Sequence, residues 1–120
     1  MTKQEFLLKP YANEDQLTAQ VYMYINNNYP AIRGTFYHIA NESATSDAMR
    51  LKLSSMGVLA GVPDFCFNLP VLWYLELKMP NGCLSPAQKK LHERWAAAGI
   101  PVETAYNKQQ IINAIEKYIG

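Results

Sequence analysis

The stretch that most constrains the fold runs from Val71 to Met79 (VLWYLELKM), an apolar segment interrupted by Glu76 and Lys78. It reads as a β-strand. Side chains alternate along a strand, so Glu76 and Lys78 share one face while Leu75 and Leu77 take the other. Phe65 to Asn68 reads as a second strand just upstream, and only a short connection at Leu69-Pro70 separates the two. That spacing predicts a hairpin.

Around the hairpin the chain alternates between helix and strand signals. Asn13 can cap a helix whose first turn carries Glu14 and Asp15, favourable at the positive end of the helix dipole. Leu17, Val21, Tyr24, Ile25 and Asn28 recur at helical spacing, and Pro30 ends the run. Thr35 to Ala40 is rich in aromatic and β-branched residues and reads as a strand. Ser46 or Asp47 opens a short helix through Met56, with Gly57 as its stop. Gly57-Val-Leu-Ala-Gly-Val-Pro-Asp64 reads as a turn, and Pro80-Asn81-Gly82 is a strong turn signal. Ser85 is an N-cap followed by Pro86 at the first helical position. This helix runs through Trp95 to Ala98 and stops at Gly99. Val102 to Tyr106 is a strand. Asn107 caps a last helix with Ile111, Ile112, Ile115, Tyr118 and Ile119 as its apolar stripe. Helix, strand, helix, strand, strand, helix, strand, helix is the order of an α/β domain with helices covering a central sheet.

Bulk properties agree with a globular chain. Its 120 residues, 49% apolar and 18% charged, suit one domain spanning residues 1–120 that holds a core without staples. Cys66 and Cys83 form neither a disulfide framework nor a zinc signature, and Cys66, among apolar neighbours, reads as a core residue. The start, MTKQEF, lacks a secretory apolar stretch, and no run approaches the ~18 apolar residues of a membrane span. The expectation is a soluble intracellular protein. The formal net charge of +1 is no announcement of a nucleic-acid partner, so any basic footprint must come from clustering.

Taken alone, Glu-Leu-Lys is common and reads as a surface ion pair. Asp64 changes that reading. It stands twelve residues before Glu76, after Gly61-Val62-Pro63, and the hairpin can bring it beside Glu76. Two converging carboxylates repel unless a cation sits between them. Mg²⁺ takes oxygen ligands and keeps waters; Asp64, Glu76 and the backbone carbonyl of Leu77 could supply three. Such a metal would polarise a scissile phosphate and lower the pKa of a bound water. Lys78 could orient or deprotonate that water, or offset charge on the phosphate.

Gly61-Val-Pro-Asp64, then Leu75-Glu-Leu-Lys78, then Gly82-Cys-Leu-Ser-Pro-Ala-Gln88 resembles the VRR-NUC family of PD-(D/E)XK nucleases. The likeness runs nearly the full length, from Glu14 through Phe36 to Asn41, Lys52 to Gly57, and Ala98-Gly99. It implies a restriction-endonuclease-like core, a central mixed β-sheet flanked by helices. Asp64 and Glu76 match the family's metal-binding acids, and Lys78 its catalytic lysine. Glu14 matches an acid on the first helix that approaches the same centre, and Gln88 a glutamine at the edge of the site. His38 and Asn41 match a His-x-x-Asn feature, although Glu42-Ser43 stands where the family often has glycine. The family implies Mg²⁺, with Mn²⁺ substituting, and a DNA substrate. Stand-alone members, of phage and bacterial type, imply a cytoplasmic homodimer that cleaves four-way (Holliday) junctions. Within the class, a flap or nicking endonuclease is the runner-up.

Each residue also has a plainer reading. Glu14 reads from sequence alone as a helix N-terminal charge, Gln88 as a solvated helix position, and His92 as a surface helix residue. His38 reads as a packed or capping histidine rather than a metal ligand. Trp73 and Trp95 read as core, and Tyr22 and Tyr24 point in different helical directions. Arg33, Lys52, Lys89, Lys90 and Arg94 are the candidates for phosphate contacts, although lysine pairs on helices are usually solvated faces. A non-catalytic nucleic-acid-binding protein on the same fold is the rival from another class. A zinc hydrolase lacks a ligand set among positions 38, 66, 83 and 92.

Overall fold

The computed structural model describes residues 1–40 and 46–120. Asn41, which carries part of the sequence resemblance, and Glu42-Ser43, where the sequence departs from it, lie outside the described residues. The elements are α1 (Lys3–Leu8), α2 (Glu14–Asn28), β1 (Phe36–His38), α3 (Asp47–Ser55), β2 (Phe65–Phe67), β3 (Trp73–Leu77), α4 (Pro86–Ala97), β4 (Val102–Ala105) and α5 (Lys108–Tyr118), with a 3₁₀ turn at Pro30–Ile32.

The cap chemistry sets the helix starts. Asn13, Ser46, Ser85 and Asn107 each accept from the N–H three residues on with a side-chain oxygen, satisfying one of the donors that a helix start leaves open. The strands are shorter than the sequence predicts, because ladder pairing stops where the chain turns away while apolar character continues. The sequence order also lacks α1. Its six residues are too few to establish a helical period.

The strand order is β1-β2-β3-β4. β1 with β2, and β2 with β3, are antiparallel, whereas β3 and β4 run parallel with α4 as the crossover. The sheet is therefore mixed, as expected. One face is apolar: Phe36, Phe65, Phe67, Trp73, Leu75, Leu77 and Ala105 meet Phe6, Leu17, Val21, Ile25, Ile111, Ile112 and Ile115 from α1, α2 and α5. Phe67 stacks on Phe36 and on Trp73, and Trp73 stacks on Tyr118. Tyr24 is buried while Tyr22 is exposed. Cys66 is buried on the opposite face, in register with Tyr37 and Tyr74.

α4 lies on that second face, with Trp95 packed on Tyr74 at 4.7 Å between ring centres. The two faces thus divide the labour: one supplies burial, the other a half-open polar floor under α4. None of the helices among the described residues is long and apolar enough to cross a membrane.

Lys108 fastens the helical layer. Its buried ammonium donates to the carbonyls of Phe6 and Lys9, at 2.6 Å each, and to Gln20 Oε1. Lys108→Met keeps the stem but leaves those acceptors without a donor, a loss worth about 1–3 kcal/mol for a buried polar group. Urea unfolding should show a lower midpoint at unchanged slope; an unchanged midpoint would mean that water replaces the ammonium at no cost.

Candidate active site

Extending the β2–β3 register by one residue sets Asp64 opposite Glu76. Phe65 pairs with Leu75 and Cys66 with Tyr74, so the next pair outward is Asp64 with Glu76. Alternation then puts both carboxylates on the α4 side, away from the core. Glu76 is only 3% exposed.

Each carboxyl is held. The Leu77 N–H donates to Asp64 Oδ2 at 2.7 Å. Gln88 Nε2 donates to Glu76 Oε1 at 2.8 Å. The other end of the same amide closes the capping box of α4, with Gln88 Oε1 accepting from the Ser85 N–H at 2.8 Å. The glutamine is thus fixed at both ends and fixes Glu76 in turn. Lys78 sits on the same strand face with Nζ 3.8 Å from Glu76 Oε1 and its side chain mostly covered. No donor among the described residues reaches Glu76 Oε2, which is buried.

The turn before Asp64 is clamped against α4. Gly61 has φ +87°, and a Cβ there would lie 2.7 Å from the Ala87 carbonyl oxygen. Only glycine meets both demands. Behind Asp64, its carbonyl accepts from the Ile39 N–H at 2.7 Å and lies 2.8 Å from His38 Nδ1. His38 therefore braces the backbone of Asp64, close to the capping role read from the sequence.

Electrostatics follow from this packing. Burial pushes Glu76 from the usual 4.5 up to about 8, helped by the Asp64 charge, a hydrogen bond with Asp64 and the Glu14 charge, against the opposing pull of Lys78. Burial also raises Asp64, while its hydrogen bonds with Leu77 and Glu76 and the charges of His38 and Lys78 pull it down. The pair thus favours one shared proton over two full charges.

Asp64, Glu76, Lys78 and Gln88 come together as the sequence anticipates, and Gln88 is half-buried rather than solvated. Glu14 stays exposed in the first turn of α2, near enough for its charge to act on Glu76. Among the described residues, no group of three His, Cys, Asp or Glu side chains is arranged to hold a metal. Lys89, Lys90 and Arg94 are exposed on α4, and Lys90 and Arg94 border a shallow groove with Ala60, Ala87 and Leu91. Lys52 is exposed on α3, and the Arg33 guanidinium donates Nε to the Asn26 carbonyl at 2.6 Å.

His92 corrects the surface assignment: it is 8% exposed. The signal was present in its spacing. Positions four apart share a helix face, and Gln88 faces the sheet, so His92 does too.

Two solved structures share this architecture. A VRR_NUC domain protein superposes with a TM-score of 0.71 at 23% identity, over 93% of this chain and 91% of its own. A VRR_NUC domain superposes with a TM-score of 0.55 at 23% identity, over 84% of this chain and 96% of its own. No protein-family model and no curated protein matches the chain. The structural likeness establishes the class of fold, an α/β sandwich of the restriction-endonuclease-like kind. More particularly, it is the fold of VRR_NUC domains.

The raised Glu76 pKa links to stability with a definite sign. The folded value, about 8, exceeds the ordinary 4.5, so the folded protein keeps a proton that the unfolded chain loses. That stabilisation is full below the lower value and is lost as pH rises to the upper one. In chelator, the wild-type melting temperature should fall across this window. Glu76→Gln should flatten the fall and gain about 1–3 kcal/mol at its alkaline end, each kcal/mol being worth roughly 4–8 °C. Parallel melting curves for the two proteins would show that Glu76 ionises as an ordinary carboxylate.

Proposed function

We propose that the chain is a VRR-NUC nuclease, one domain spanning residues 1–120, that hydrolyses DNA phosphodiester bonds with Mg²⁺ or, in its place, Mn²⁺. The observation that carries this reading is the buried Asp64–Glu76 pair, with Glu76 Oε2 lacking a donor and the Lys78 ammonium alongside.

The donor set fits a hard cation. Asp64 and Glu76 offer carboxylate oxygens, and an acceptor without a donor inside a protein is a site for a positive ion. In a strand, a residue's N–H and C=O point toward the same neighbour. The Leu77 N–H meets Asp64, so its carbonyl is directed to the Asp64 side. Water would complete the shell, as Mg²⁺ prefers, with Glu14 reaching the centre through it. When bound, the ion polarises the scissile phosphate and lowers the pKa of the attacking water.

The chain's own groups supply the remaining functions. The Leu77 N–H and the Gln88 amide fix the two carboxyls, so little reorganisation is left for the moment of reaction. Lys78 brings positive charge to where negative charge grows on the phosphate and orients the incoming water. Lys89, Lys90 and Arg94 on α4, with Arg33 and Lys52, are the groups that would meet backbone phosphates. Such contacts position the duplex without reading its sequence.

The proposed substrate is branched DNA, a four-way junction cut by a cytoplasmic homodimer whose two-fold axis presents two sites. What supports the second copy is α3, which buries no residue while Met49, Leu51 and Met56, and Val58 and Leu59 beyond it, are exposed. Apolar surface of this kind marks an interaction site.

Cleavage of labelled four-way junction, flap, nicked and linear duplex DNA, with solution mass measured alongside, tests the reading. Wild type should cut only with a divalent metal and prefer the junction. Lys78→Ala should lose on the order of 100-fold or more in kcat, the scale for removing one transition-state charge contact. Inactivity of the wild type with every divalent metal would overturn the nuclease reading and leave a nucleic-acid-binding protein on this fold. Equal rates for wild type and Lys78→Ala would remove Lys78 from the chemistry.

A further inference from the structure

His92 is a buried polar side chain that the proposed chemistry leaves unused. Gln88 and His92 lie four residues apart on α4 and so occupy one face of it, one turn apart. Gln88 reaches Glu76. The His92 ring is held by a hydrogen bond with the Gly61 backbone, and the charged groups acting on it are Lys78 from β3 and Asp64 from the turn before β2. Its Nε2 is buried and has no hydrogen-bond partner among the described residues. Leaving such an atom unpaired costs about 1–3 kcal/mol. An apolar residue would avoid that cost.

Lys78 has the complementary need. The acceptor facing its ammonium is Glu76 Oε1, at a long 3.8 Å. Any state of the site that turns Glu76 to another partner leaves that ammonium, mostly covered, in need of an acceptor. A neutral imidazole nitrogen supplies one.

We infer that His92 is the positioning residue for Lys78, its Nε2 accepting a hydrogen bond from the ammonium whenever Glu76 is engaged elsewhere. One N–H of Lys78 is then anchored on α4. The others remain for phosphate and water. The consequence for cleavage rests on the nuclease reading above; the hydrogen bond itself does not.

Glu76→Met removes the acceptor facing Lys78 without any metal and therefore separates the two ideas. Histidine-ring ¹H–¹⁵N spectra of metal-free protein should show Nε2 as the unprotonated nitrogen. Its resonance should shift in Glu76→Met relative to wild type and return in Glu76→Met/Lys78→Met. A proton on Nε2, or a resonance indifferent to Lys78 in the Glu76→Met background, would overturn the inference whatever the protein does to DNA.

The kinetic arm uses His92→Asn and His92→Gln. Gln can place its amide oxygen near the Nε2 position, whereas Asn cannot. His92→Asn should lose about 10–100-fold in kcat with little change in KM, the range for groups that orient a metal site's ligands. His92→Gln should restore most of it. Neither change should cost anything further in the Lys78→Ala background, whereas additive losses there would mean that His92 acts only through packing.

Discussion

The register between β2 and β3 is the constraint on which everything else depends. It sets Asp64 opposite Glu76 and sends Trp73, Leu75 and Leu77 into the apolar layer. A slip of one residue would exchange the faces. Glu76 and Lys78 would then enter the core, and three large apolar side chains would face α4. The aromatic stack of Phe36, Phe67, Trp73 and Tyr118 makes that slip prohibitive, because each ring fully buried is worth roughly 2–3 kcal/mol. The core thus holds the site in place from behind the sheet without touching it.

What the core stabilises, the site partly spends. Glu76 is buried beside a second carboxyl, and its proton affinity rises to about 8. Moving Asp64 away from Glu76 would relieve it. Instead, Gly61 packs against Ala87 so closely that a Cβ would collide, and this contact pins the turn that delivers Asp64. A backbone approach that only glycine allows, a buried carboxyl oxygen without a donor and a fixed amide all meet on one side of one sheet. Local rules broken together in this way are what a functional site is expected to show.

Much of this was legible in the sequence because it follows from local chemistry. Side-chain caps are set by residues within one turn, so Asn13, Ser46, Ser85 and Asn107 announce their helices. Strand alternation places Glu76 and Lys78 together, and the short Leu69-Pro70 connection brings Asp64 to them. What stayed hidden depends on partners far away in the chain. α1 is short, and its position is fixed by Lys108, about a hundred residues on. Gln88 looks like any solvated glutamine until the crossover lays α4 on the second face. His92 follows from Gln88 by helical spacing, but the charged residues around it (Lys89, Lys90, Glu93 and Arg94) make the segment read as surface. The orphaned oxygen of Glu76 has no sequence signature at all.

On the nuclease reading, α4 resolves the tension between a near-neutral chain and a polyanionic substrate. Net charge governs long-range attraction, but within about 10 Å, the Debye length at ordinary salt, it is the local arrangement that acts. One face of α4 carries Gln88 and His92 toward the sheet. Lys90 and Arg94, also four apart, lie exposed beside the groove at Ala60 and Ala87. Ala87 in turn touches Gly61, the residue that holds Asp64 in place. On the nuclease reading, a phosphate backbone gripped by Lys90 and Arg94 would press on the same helix turn that orients Glu76 through Gln88. Substrate contact and carboxylate geometry would then share one rigid element.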